Sequence, residues 1–159
     1  MPADGDRSGK YPVGWALSVA ALAAGWLFPG LGHVVLGRLL RGFLFAAIVM
    51  GSFALGMAHD GRLALRDGHQ GFLTTLQVIA NAAVGPADVV ARFAVYGAPV
   101  YSVPEDPEGT VFEPRALKIF RERSRSGASS YGTAYLWTAG LMNILLLFDV
   151  FDIARGRKD

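Results

Sequence analysis

Cysteine is absent from the 159 residues. That excludes a disulfide framework, a thiolate nucleophile, a Cys-ligated zinc and an iron–sulfur cluster. Charge is scarce as well. Asp, Glu, Lys and Arg make up 18% of the chain, against about 25% in an ordinary soluble domain. Histidine occurs three times, so an imidazole-rich metal site has few ligands to draw on. No nucleophile elbow, phosphate-cradling glycine loop or dinucleotide fingerprint is present, and Gly30-Leu31-Gly32 alone does not make one. What fills the chain instead is apolar: 52% hydrophobic residues and a mean hydropathy of +0.35. The formal charge is +2. Lys and Arg cluster at the ends of apolar runs, as membrane anchoring requires, so the basic balance implies a lipid bilayer rather than nucleic acid as partner.

The last apolar run, Ala134 to Ile153, is free of Lys and Arg and ends in the basic tail Ala154-Arg155-Gly156-Arg157-Lys158-Asp159. About twenty such residues in a helix cross a hydrocarbon core, and the basic tail is an interfacial stop. Two further runs, Val13 to Phe28 and Phe43 to Ala58, lie near the N-terminus. Arg7, Lys10 and the Ala21-Leu22-Ala23 triplet suggest a signal peptide. The run continues past that triplet to Phe28 and into a Gly/Pro motif, so a helix is the expected reading. A fourth stretch, residues 72–101, is interrupted by Pro86 and carries Asp88 and Arg92, which at spacing four would pair with each other. Each half is too short to span alone. A broken, partly buried segment is expected here rather than a clean crossing, because backbone breaks at membrane depth need protein or water around them.

The expected fold is therefore an all-α integral membrane helical bundle. It has three transmembrane helices, about 13–28, 40–58 and 134–153, plus the Pro-broken middle segment 72–101, a fourth span if it crosses. Residues 1–10 read as a disordered N-terminus, 11–159 as one membrane domain and 102–133 as a polar loop. Within that loop, Arg115 to Arg125 reads as a short helix opened by Pro114. It either lies on headgroups or packs on its own domain. Three spans with a cytoplasmic N-terminus place more Lys and Arg inside than out, although the basic tail would then lie outside.

Three constellations could carry chemistry. Pro29, Gly30, Gly32, His33 and Gly37 form a turn beside Arg38 and Arg41. Proline ends the first helix, and the arginines could hold a headgroup, phosphate or carboxylate or simply snorkel. In the last helix, Asn143 sits mid-span and should hydrogen-bond another helix. Asp149 and Asp152 oppose the helix dipole and need an offset. Arg155 could reach Asp152 at spacing three, and Arg38 or Arg41 could reach Asp149 if turn and C-terminus share a membrane face. A structural ion pair is the favoured reading over a proton or cation site. Finally, His59, Asp60, Asp67 and His69 are candidate metal ligands, but no pair has the helical i, i+4 spacing of a zinc site. No catalytic, cofactor-binding or metal residue is assigned.

The segment Pro29 to Phe45, PGLGHVVLGRLLRGFLF, resembles the turn of the two-transmembrane-helix domain family, through Gly30, Gly32, His33, Gly37 and Arg38, with Asp149 as that family's acidic residue near the end of its last helix. Val34-Val35 stand where that family carries an aromatic pair. Residues 25–159 are similar to a family of small, uncharacterised bacterial multi-span proteins with a PGLGH turn, a Gly-Met/Asp-Gly stretch (Gly56-Met57 and Asp60-Gly61) and an ending like Tyr131 to Asp159. That resemblance implies a bacterial inner (plasma) membrane, multi-pass location and no activity.

The expected function is non-enzymatic, structural or assembly-related. The small-residue stripe Ala16, Ala20 and Ala24 and the residues Gly51, Ser52 and Gly56 would pack against a second copy or a membrane-protein partner. The alternative is a small transporter or ion-conducting subunit using Asn143, Asp149 and the broken segment. An intramembrane enzyme using His33 or His59 is a third.

Overall fold

The computed structural model describes residues 14–66, 71–102 and 115–158. These form seven helices: α1 (Trp15–Leu27), α2 (Leu31–Val35), α3 (Leu39–Ala58), α4 (Gly71–Ala82), α5 (Pro86–Tyr96), α6 (Arg115–Ser124) and α7 (Ser129–Ala154). Among the described residues there is no strand, only a lone parallel bridge between Arg66 and Ser102. The disordered reading of residues 1–10 lies outside the described residues.

Two helices are long and apolar enough to cross a bilayer, α3 with 20 residues and α7 with 26. At 1.5 Å per residue they reach about 30 and 39 Å. The expected third span falls short. Helix α1 has 13 residues, or about 20 Å, because Pro29 and the left-handed Gly30 (φ 87°) end it. Side chains that face outward along these helices are large and apolar, among them Leu40, Phe43, Phe72 and Leu145. Water would not tolerate so many; lipid would.

Helix α7 is the hub: α1, α2, α3, α4 and α6 all pack on it. It runs antiparallel to α3. A Cβ on Gly56, near the end of α3, would lie 2.8 Å from Leu136 Cδ2, near the start of α7. At the other end, a Cβ on Gly32 would lie 2.8 Å from Val150 Cγ2, and α2 leads straight into α3.

Helix α1 also runs against the direction of α7. Its Ala21 carbonyl lies beside Gly32 at the level of Val150, and its Gly25 faces Leu147 four residues further on. After Pro29 the chain turns back: α2 returns past Val150 to the end of α7 where α1 began. Thus α1 and α2 form a hairpin that enters from the C-terminal end of α7 and goes back there.

The Pro-broken segment does the same from the other end. Residues 61–66 sit at the start of α7, where the Arg62 amide donates to Thr133 Oγ1 at 3.0 Å. Helix α4 then runs along α7 until its Ala80 carbonyl meets Gly140, so closely that a Cβ there would collide with the oxygen. The chain breaks at residues 83–85, and α5 leaves at 109° to α4. Pro86 suits the first turn of α5, where its missing N–H is not needed, and Gly85 takes a φ of 76°. Helix α5 returns to residues 63–66: Tyr96 Oη donates to the Leu63 carbonyl at 2.8 Å, and the Arg66 amide donates to the Tyr101 carbonyl at 2.8 Å. The segment is two helices sharply bent at a break, as the broken-segment reading anticipates.

The main apolar core lies in the N-terminal half of α7, where Leu136 and Ala139 meet Val49 and Phe53 of α3, Leu63, and Val84 at the break. Helix α6 closes it with Ala116, Ile119 and Phe120. It packs on its own domain, the second of the two arrangements its amphipathic pattern allows.

Candidate functional site

Polar residues occur along α7 at two depths, and a third cluster hangs from α5. At the C-terminal end of α7, Asp149 receives a hydrogen bond from His33 Nε2 at 3.0 Å and a salt bridge from Lys158 Nζ at 3.0 Å. His33 is fully buried, whereas Asp149 keeps 29% of its side chain exposed. The imidazole edge also meets the Phe45 ring at 5.0 Å. Its Nδ1 is buried and has no partner. The short α2 creates this contact: the turn through Gly30 folds it against α7, and His33 is the residue that faces inward. Gly30 itself cannot be replaced without strain, since a Cβ there would run into the Gly42 carbonyl.

Asp149 is thus held, but by His33 and Lys158 rather than by Arg38 or Arg41. Arg38 caps α3 and is half-buried; Arg41 is exposed on the first turn of α3. Asp152 does not meet Arg155 either. The chain turns at Gly156 (φ 68°), which brings Arg157 to 3.7 Å and Lys158 to 3.9 Å from Asp152. The Arg155 guanidinium instead lies 5.1 Å over the Phe151 ring. Pro29 is buried where the hairpin reverses, and Gly37 (φ 79°) links α2 to α3.

Halfway along α7, Asn143 is fully buried. Its Nδ2 donates to the Ala83 carbonyl at 2.8 Å and to the Gly25 carbonyl at 3.4 Å. One carbonyl belongs to the break between α4 and α5, the other to the last turn of α1. The two hairpins touch at this depth: a Cβ on Gly85 would collide with the Trp26 carbonyl. Asn143 Oδ1 is buried and unpartnered.

The Asp88–Arg92 pair forms as its spacing predicts, 2.8 Å apart with both side chains fully buried. Arg92 also donates to the Ala64 and Val100 carbonyls at 3.0 and 2.7 Å and lies 4.1 Å over the Tyr101 ring. Burial, with Asp88 adding to it, pushes the Tyr101 phenol above its ordinary value, against the opposing pull of Arg92. Of the loop candidates, Asp67 and His69 lie outside the described residues. His59 Nδ1 binds the Leu55 carbonyl at 2.8 Å, and Asp60 accepts from Ser126 Oγ at 3.2 Å. Among the described residues no group of three His, Cys, Asp or Glu could hold a metal.

Sequence reasoning finds Asn143, His33 and Asp149 but not the partners of any of the three. The Ala83 and Gly25 carbonyls are backbone groups and leave no mark in residue type. Lys158 has a visible signal, a cation one to three turns past two carboxylates, which a membrane-stop reading absorbs.

The sequence profile of a family described as "Family of unknown function (DUF6677)" matches residues 20–159. The chain belongs to this family. The matched region holds α2 and α7 whole, and with them His33, Asn143 and Asp149, so the site lies in the part of the chain that DUF6677 defines. No curated protein and no solved structure matches the chain. The sequence resemblance to an uncharacterised family holds at this level.

Proposed function

We propose that this DUF6677 protein is a non-enzymatic integral membrane protein of the bacterial inner membrane with a structural or assembly role. In this reading α3 and α7 cross the bilayer, and the two hairpins dip in from opposite sides. One observation carries it: each buried polar cluster ties elements of the same chain together. His33 fastens α2 to α7, Asn143 fastens both hairpins to α7, and Arg92 fastens α5 to residues 64 and 100. Such groups specify one arrangement of a bundle whose apolar faces would pack in several ways.

The outward face supports a partner in the membrane. Helix α1 turns Ser18, Ala21 and Gly25 inward and leaves Ala16 and Ala20 of the alanine stripe exposed beside Trp15 and Leu27. Extraction in mild detergent, with crosslinking before solubilisation, tests the proposal. A complex larger than one copy, with itself or another membrane protein, is expected. A solitary monomer under every gentle condition would count against it.

A second reading has its own support. Two breaks that meet beside a buried amide are how many transporters build their sites, which favours a small transporter or ion-conducting subunit. Asp149→Asn that abolishes a flux while expression holds would support transport. Asp149→Asn that destabilises the protein would support the lock.

A further inference from the structure

We propose that the end of the bundle where α7 finishes is a docking surface for anionic phospholipid headgroups, held by Arg38 and Arg41 at the start of α3 and by Arg155 after α7. The inference deepens the membrane reading. It rests on α3 and α7 crossing the bilayer, and it needs neither the assembly role nor transport.

Three observations converge. The first is charge. The turn between α2 and α3 meets the tail after α7 at this end. The Arg38 amide donates to the His33 carbonyl at 2.8 Å, His33 donates to one oxygen of Asp149, and Lys158 takes the other. Among the described residues the cations here are Arg38, Arg41, Arg155, Arg157 and Lys158, and the carboxylates are Asp149 and Asp152. Lys158 and Arg157 engage both carboxylates, and neither Arg38 nor Arg155 meets one. Positive charge is left in excess. The second is what borders that charge. Arg38 and Arg41 enclose Leu39 and Leu40, and Phe43 follows; all three apolar side chains are exposed. On the α7 side the Arg155 guanidinium lies 5.1 Å over the Phe151 ring, and Phe148, about a turn deeper, is exposed. Twice, in segments far apart in the chain, arginine and bare apolar surface share one edge. The third is level. Trp15, the first residue of α1, stands exposed at the same end, and tryptophan rings gather where acyl chains meet headgroups.

The chemistry selects the partner. A guanidinium presents a planar fork that meets two phosphate oxygens at once, whereas a lysine offers a point charge. Here the lysine is engaged within the chain, and the excess lies on arginines. A soluble phosphate or an acidic peptide would answer the charge and leave the leucines and phenylalanines bare. A phospholipid covers both, with its phosphate on the arginines and its acyl chains along Leu40, Phe43 and Phe148. Lipids of net negative charge are favoured over zwitterionic ones, whose own cation repels the arginines.

The test is the thermal midpoint of the full chain, purified in a neutral detergent, with phosphatidylglycerol or phosphatidylcholine added. A ligand that binds the folded state raises the midpoint with its concentration. The expected result is a saturable rise of several degrees with phosphatidylglycerol, a much smaller one with phosphatidylcholine, and weakening of the first by high salt. Arg38→Gln combined with Arg155→Gln leaves the Asp149 and Asp152 contacts in place and should raise the half-saturating amount of phosphatidylglycerol about tenfold. Arg115→Gln combined with Lys118→Gln, on α6 at the other end, should leave it unchanged. Equal responses to the two lipids overturn the proposal, as does a wild-type response in the Arg38/Arg155 variant or a loss of response in the α6 variant alone. An equal rise with inorganic phosphate or with a polyglutamate peptide also overturns it, since neither carries acyl chains. If the Arg38/Arg155 variant fails to fold, Arg155→Gln decides alone, because that side chain is exposed: an unchanged half-saturating amount overturns the proposal. Retention in pure phosphatidylcholine vesicles after alkaline extraction tests the spans by themselves, so the spanning reading and the lipid preference fail separately.

Discussion

At the scale of single residues, the His33–Asp149 contact joins positions 116 apart in the chain. The imidazole is fully enclosed and the carboxylate is not, so truncating Asp149 strands a buried donor. Asp149→Asn and His33→Gln should each lower the thermal midpoint in detergent. Their double-mutant cycle should give a coupling of about 0.5–3 kcal/mol; additive effects would show that the contact holds nothing. Arg92 makes a stronger case. Arg92→Leu leaves Asp88 as a lone buried charge, a change of about 3–5 kcal/mol, and the double variant with Asp88→Leu should recover part of the loss. Unfolding midpoints of the three variants check this. Of these two contacts only the second is legible in the sequence. Asp88 and Arg92 sit four apart on a helix, where local geometry forces them together. Nothing local brings His33 to Asp149. That requires the reversal at Gly30, whose consequence for packing depends on where α7 lies. The expected Arg155–Asp152 pair fails for a related reason: the positive φ at Gly156 folds the chain back, so that Arg157 and Lys158 take the carboxylate while Arg155 lies over Phe151.

At the scale of elements, the apolar runs foretell the helices closely, and the breakers foretell the breaks. Pro86 stops one helix and starts another, and Pro29 stops the first. What the runs do not foretell is depth. An apolar run of sixteen residues reads as a short span, yet α1 is the descending arm of a hairpin, and only its contacts with Val150 and Leu147 reveal that. Backbone proximity decides these hairpins. Gly140→Ala should abolish the docking of α4, since its Cβ would strike the Ala80 carbonyl. Gly85→Ala combines a strained φ with a collision at Trp26, and about 1–3 kcal/mol from the backbone alone is expected. Gly51 is the control. It lies within α3 with open space around it, so Gly51→Ala should be neutral or stabilise by up to about 1 kcal/mol. Yield of monodisperse protein in detergent distinguishes the three.

At the scale of the whole molecule, the arrangement predicts which positions face the same compartment. With α3 and α7 crossing and both hairpins returning, cysteines placed singly at Gly14 and Arg157 should label from one side of the membrane. Those at Ser102 and Gly127 should label from the other. Labelling of Gly14 opposite to Arg157 would mean that α1 crosses after all. The native chain contributes no background, having no cysteine of its own. The packing on α7 has a further consequence for how the protein is made. Helices α1, α2, α3 and α4 all rest on it, yet it follows every one of them in the chain. During synthesis the first hairpin is made while the α7 partners of its Gly25 and His33 are still untranslated. Those contacts close only when Asn143 and Asp149 emerge. A chain halted before residue 143 keeps the packing of α2 on α3 but lacks both the amide that joins the two hairpins and the carboxylate that holds His33, so the last helix to be made is the one that completes the fold.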